Sequence, residues 1–251
     1  MNIALILLLN LAVGACIGLT GIAGFLLPMF YTGFLGMPPA ESLALSFSAF
    51  LISGILGAVT YYKAGNLAVR PAVVLSAGSL LGALAGVRIN LLIPEDVMQI
   101  IPYAVVLISG VSILLRRGGK EGADAGTAVL SAGRMAFYFL LGIVTGAVCA
   151  ASGAGGPVLV MPLLTLLGFP AHTAVGMSLF NSVFIALPAA AGYLWHASDN
   201  REMFLLLVPV LTAHGIGVTW GSRNAEKINQ NLLKRIVAVG SIGIALFKLF
   251  V

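Results

Sequence analysis

Between Gly146 and Pro170 the chain reads GAVCAASGAGGPVLVMPLLTLLGFP. At its centre, Ser152-Gly153-Ala154-Gly155-Gly156-Pro157 gathers residues that weaken or break a helix. No Asp, Glu, Lys or Arg occurs from Met135 to Ser198, so the break falls inside an apolar run of membrane-spanning length. Backbone unwound in hydrocarbon leaves N–H and C=O groups unpaired, at a cost of several kcal/mol each. Such a break persists only where it is buried in protein or lines a wet cavity. A helix broken at membrane depth therefore points first to a binding site.

The same stretch occurs twice. A shift of 132 positions (146 − 14) lays Gly14 on Gly146 without a gap. Thr20 then meets Ser152, Gly21 meets Gly153 and Gly24 meets Gly156. Gly36 meets Gly168, Pro38 meets Pro170, Ser46 meets Ser178 and Tyr61 meets Tyr193. Chance apolar similarity would pair Leu with Val, but it would not hold Gly, Pro, Ser and Tyr in one register. Duplication of this kind fixes an architecture, and many secondary transporters are built from two such halves around discontinuous helices.

Composition leaves no soluble alternative. The chain is 60% hydrophobic and 8% charged, with a mean hydropathy of +1.08, whereas a soluble domain carries about 25% charged residues. The net charge of +5 is no nucleic-acid signature, because the Lys and Arg residues sit in short loops, where they report orientation. The apolar run that begins at Asn2 continues too far for a cleaved signal peptide. Cys16 and Cys149 lie in apolar segments beside the two bends, which argues against a disulfide framework, and a CxxC motif is absent.

The expected fold is an all-α polytopic membrane protein of two inverted-topology repeats. Each repeat is a helix plus a short broken or re-entrant arm, followed by three transmembrane helices. The first repeat covers residues 1–115, with the Gly18–Gly24 region dividing its first helix from an arm at 25–35 and spans at 42–62, 71–90 and 97–115. A linker at 116–134 follows. The second repeat, 135–251, holds a helix at 135–151, an arm at 158–167 and spans at 171–195, 203–221 and 232–250. Arms of this length reach about 17 Å, short of a hydrocarbon core of about 30 Å. Arg116, Arg117, Lys120 and Arg134 place the linker in the cytoplasm of an inner (plasma) membrane protein. Counting outward, the acidic turn at Glu95 and Asp96 falls outside, and the basic loop with Arg223, Lys227, Lys234 and Arg235 falls inside. Loops 63–70 and 196–202, equivalent in the repeat, then lie on opposite faces, which is what inversion requires.

With these motifs in place, the chain resembles the TauE/SafE-type sulfite exporters, also called the four-toluene-sulfonate uptake permease family. The resemblance rests on the paired bends Gly18–Gly24 and Gly153–Gly156, on the proline and small-residue helix after each, and on the GxR endings at Arg88 and Arg223. It spans nearly the whole chain. In the first bend Ile22-Ala23-Gly24 replaces a run of glycines. The resemblance implies transport of sulfur-containing or organic anions, without choosing among sulfite, sulfoacetate and sulfonates.

Electrostatics leads to an anion independently. A short helix that starts at mid-membrane presents its first N–H groups, and about half a positive charge, to whatever lies there. Two such arms would aim at one point from opposite sides. The expected substrate-binding residues are Thr20, Gly21, Gly24, Ser46, Ser152, Gly153, Gly155, Gly156, Ser178 and Asn181. The glycines could instead serve close helix packing, and each polar side chain alone could be an interhelical contact worth about 1 kcal/mol. His214 is the deepest ionisable residue and the one candidate for proton coupling, with a satisfied core histidine as the alternative. Glu41 and His172 fall near helix starts, and Arg88 and Arg223 near span ends, where they can snorkel. Tyr61, Tyr193 and Trp195 read as interfacial belt residues.

GxSxG, HExxH and Walker sequences are all absent, so a transporter is expected and not an enzyme, with no cofactor and no metal. An anion channel and a proton-coupled uptake permease are the nearer alternatives, and an intramembrane enzyme the more distant one. The expected partners are a small anionic substrate and the lipid bilayer, with no nucleic acid. Assembly as a homo-oligomer stays open.

Overall fold

The computed structural model describes residues 3–21, 23–93, 131–197 and 201–227, with isolated positions at 107, 111, 239, 242 and 243. The expected spans 97–115 and 232–250 and most of the linker lie outside the described residues. Among those described there are eight α-helices and no strand. They are α1 (Ile3–Thr20), α2 (Leu26–Gly33) after a 3-10 turn at Ala23–Phe25, α3 (Pro39–Lys63), α4 (Val69–Leu92), α5 (Ala132–Ser152), α6 (Gly156–Leu166), α7 (Ala171–His196) and α8 (Arg201–Asn224). Six of them, α1, α3, α4, α5, α7 and α8 from Met203 on, are long and apolar enough to cross a membrane. The protein is an all-α polytopic membrane protein.

Both breaks form where the glycines fall. α1 stops at Thr20 and α5 at Ser152, and the next residues, Gly21 and Gly153, take φ of +72° and +70°. An L-residue is strained there, so the helix ends at a residue without Cβ. The second break is narrower than the expected cluster. Gly156 and Pro157 already belong to the first turn of α6, where a missing proline N–H costs nothing. Arg134, expected in the linker, lies in the first turn of α5, and its N–H donates to the capping Ser131 hydroxyl at 3.4 Å.

A broken helix leaves its last carbonyls without intrahelical partners, and in a membrane no water is at hand to satisfy them. Side chains from neighbouring helices do so instead. Tyr61 Oη donates to the Gly18 carbonyl at 3.0 Å, and Tyr193 Oη donates to Ala150 at 2.9 Å. The two bonds are repeat mates. Asn90 Nδ2 donates to Ala151 beside the second of them. The belt assignment of Tyr61 and Tyr193 is therefore corrected: they are 3% and 0% exposed, drawn inward by carbonyls the breaks orphan. Trp195, 81% exposed, keeps the belt position.

Helix pairing is exchanged between the halves. α1 packs along α8, and α4 along α5, the repeat mates of that pair. Gly14 abuts the backbone of His214 and Val218, and Gly18 that of Val218 and Ser222. Gly217 and Gly221 return the contact on Leu11 and Ala15. The four-residue spacing of glycines lets the backbones touch, as in other membrane helix pairs. Along the α3–α7 contact, Phe47 stacks on Tyr193 at 5.6 Å, Gly54 faces Val183, Gly57 faces Leu179, and Tyr61 faces Gly176. Numbers rise on α3 as they fall on α7, so these two equivalent helices run antiparallel. At one end, Asn66 Nδ2 donates to Glu226 Oε1 at 3.3 Å, tying the loop after α3 to the turn after α8. Arg88 and Arg223 are exposed near their helix ends.

Candidate functional site

The two breaks meet. A β-carbon on Gly24 would lie 3.1 Å from the Phe50 ring and 3.7 Å from the Ala154 carbonyl oxygen of the other bend. One on Gly21 would lie 3.7 Å from Pro157 and 3.5 Å from the Ser178 hydroxyl. Between them is a cavity bounded by Gly21 and Gly24 of one bend and by Gly155 and Pro157 of the other, with Phe50, Ser53 and Ser182 as walls. It has room for about one water molecule, so this conformation is closed. α6 begins at its edge, where first-turn N–H groups and a partial positive charge favour an anion.

The expected polar residues are all buried, but they differ in what they have left to offer. Thr20 and Ser178 donate to the carbonyls of Cys16 and Val175 on their own helices, at 2.8 and 2.9 Å. Ser152 Oγ accepts the Ala154 N–H at 3.3 Å and so shapes its own bend. By contrast Ser46 Oγ and both amide atoms of Asn181 have no partner among the described residues. Ser46 lies on the stripe of α3 that carries Phe50 and Ser53, at i, i+4 and i+7. Asn181 immediately precedes the cavity-lining Ser182. An unpaired buried amide is expensive, which sets Asn181 apart from the satisfied Thr20 and Ser178. Gly156 packs on Ser182 and Ile185, while Gly153 turns away towards Leu43 and Pro28.

His214 is wholly buried and bonded on both sides. Its Nδ1 lies 3.2 Å from the Asn10 carbonyl oxygen, and its Nε2 lies 2.6 Å from Ser53 Oγ. Asn10 in turn donates to Tyr31 Oη at 2.6 Å. Cys149 is buried, 4.0 Å from the Gly156 carbonyl, while Cys16 is half-buried. Glu41 and His172 are half-buried in the first turns of α3 and α7, and for Glu41 that is where a helix favours negative charge. Among the described residues no cluster of metal-ligating side chains occurs.

Sequence reasoning missed Phe50, Ser53 and Ser182. Helical spacing would have found them: Phe50 and Ser53 follow Ser46 by one and two turns, and Ser182 follows Ser178 by one.

A small cavity between two broken helices, inside a bundle of apolar spans, is the arrangement of a membrane transporter. The model of the family described as sulfite exporter TauE/SafE matches residues 6–247, and the chain belongs to that family. It is also similar to the Bacillus subtilis (strain 168) protein named "Probable membrane transporter protein YdhB", at 24% identity over 237 residues, 93% of this chain and 94% of that one. No solved structure matches the chain.

Proposed function

We propose that this protein carries small sulfur-containing or organic anions, such as sulfite or sulfonates, and works as an exporter. The observation that carries this is the convergence of the two glycine breaks on one cavity. The site comprises the bend N–H groups, Ser46, Ser152, Ser178 and Asn181, with Thr20 bracing the first bend. Binding and release need no catalysis, cofactor or metal. The repeats, 1–115 and 135–251, are inverted in the inner (plasma) membrane with the linker in the cytoplasm. The antiparallel run of α3 and α7 supports that inversion, since equivalent helices of inverted halves point opposite ways.

Direction follows from charge. An interior negative by about 100 mV drives each exported negative charge with about 2.3 kcal/mol, close to a fifty-fold gradient. Export then needs no fuel, whereas uptake must be coupled. In proteoliposomes loaded in turn with sulfite, sulfoacetate and ethanesulfonate, efflux of at least one should saturate, and efflux of a dianion should quicken when the interior is made negative. Efflux without saturation at channel rates would replace the carrier by a channel. No flux of any of them would overturn the substrate class.

A further inference from the structure

Ser53 stands between the cavity and His214, and its hydroxyl has a choice of partners. The Asn10 carbonyl oxygen can only accept, so Nδ1 of His214 carries a hydrogen. Nε2 is then the atom whose proton varies. It lies 2.6 Å from Ser53 Oγ, which also lies 2.9 Å from the Ala49 carbonyl oxygen. When the imidazole is neutral, Ser53 gives its one proton to Nε2 and turns only lone pairs towards the cavity. When the imidazole is protonated, Nε2–H donates to Ser53 Oγ, and the serine proton is released to Ala49 or to an anion beside it. The first state repels an oxyanion and the second binds it.

We propose that Ser53 and His214 form a proton-linked contact of the anion site, so that each small oxyanion is carried together with one proton. This rests on the anion-carrier reading above. No bond between heavy atoms forms or breaks: a proton from water adds to Nε2 and leaves again with the anion. Among the described residues, Tyr31 of α2 is the titratable group that reaches the pair, through Asn10. α1 has no charged residue, and its Cys16 is half-exposed. The charged residues of α3 and α8, namely Glu41, Lys63, Arg201, Glu202 and Arg223, stand at helix ends. A dianion travelling with one proton still moves one net negative charge, so voltage still favours its export. A monoanion with one proton moves none.

Binding of ethanesulfonate to the purified full chain tests this, because the charge of that probe is constant between about pH 5 and 8, so a pH slope of Kd belongs to the protein. Kd should fall as pH falls, by up to about tenfold per pH unit, and calorimetry in buffers of different ionisation heat should show one proton taken up per anion. His214→Gln can bond both partners but cannot titrate, so its Kd should be the same at every pH. Ser53→Ala should lose the slope too, with a lower melting temperature because Nε2 loses its partner and a size-exclusion profile to confirm folding. A Kd independent of pH in the native protein would overturn the proposal and leave the carrier intact. A slope that survives both substitutions would also overturn it. Failure to bind ethanesulfonate at any pH would overturn the anion site and this contact with it.

Discussion

Asn181→Leu is expected to weaken transport by about 10- to 150-fold at low substrate while making the protein more stable. Both amide atoms of Asn181 are buried without a partner, and an unsatisfied buried polar group costs about 1–3 kcal/mol. Leucine has similar bulk and nothing to satisfy, so the closed state gains from the change. The bound state loses hydrogen bonds to a charged ligand, worth about 1.5–3 kcal/mol, or about 10- to 150-fold in affinity. A site residue that harms stability in the empty protein is the trade expected where function is selected. Melting temperature and flux, measured on one preparation, check both halves. Normal flux in the variant would remove Asn181 from the site.

Leucine at Gly24 or Gly156 should reduce transport by more than about 100-fold while the chain still folds and inserts. The two positions should also differ when the substitution is alanine. A β-carbon at Gly156 would lie 3.0 Å from Ser182 Cα, part of the α7 backbone, and 3.1 Å from Ile185. At Gly24 the nearest atom is 3.1 Å away on the Phe50 ring, and a ring can turn where a backbone cannot. Gly156→Ala should therefore be the more damaging alanine, and Gly24→Ala should keep much of its flux. Flux in proteoliposomes, with size-exclusion profiles to confirm folding, reads the order. Equal and normal flux in both leucine variants would assign these glycines to packing alone.

The breaks were legible because glycine and proline act locally: Gly21 and Gly153 end their helices wherever the rest of the chain goes. The duplication was legible for the same reason, since residues with special backbone roles keep register when apolar ones drift. Tyr61 and Tyr193 were misread because their partners, the carbonyls of Gly18 and Ala150, are orphaned only once the helices break and pack. Ser53 and Ser182 carry no mark of the duplication, since their repeat mates are Ile185 and Phe50. The cavity is therefore polar at different places on its two sides, which symmetry cannot reveal. His214 was visible as a deep ionisable residue, but its contact with Ser53 spans 161 residues of chain and exists only in the fold.

Selenite offers the most direct test that a small anion is held between the bends, since it copies the shape and charge of sulfite with an atom heavy enough to locate. A structure of the protein saturated with selenite, with its selenium placed by anomalous scattering, should show one peak between Gly24 and Gly156, within hydrogen-bonding reach of the bend N–H groups and Ser53. Selenite that is transported yet gives its peak elsewhere in the protein, with the space between the bends empty, would contradict the account.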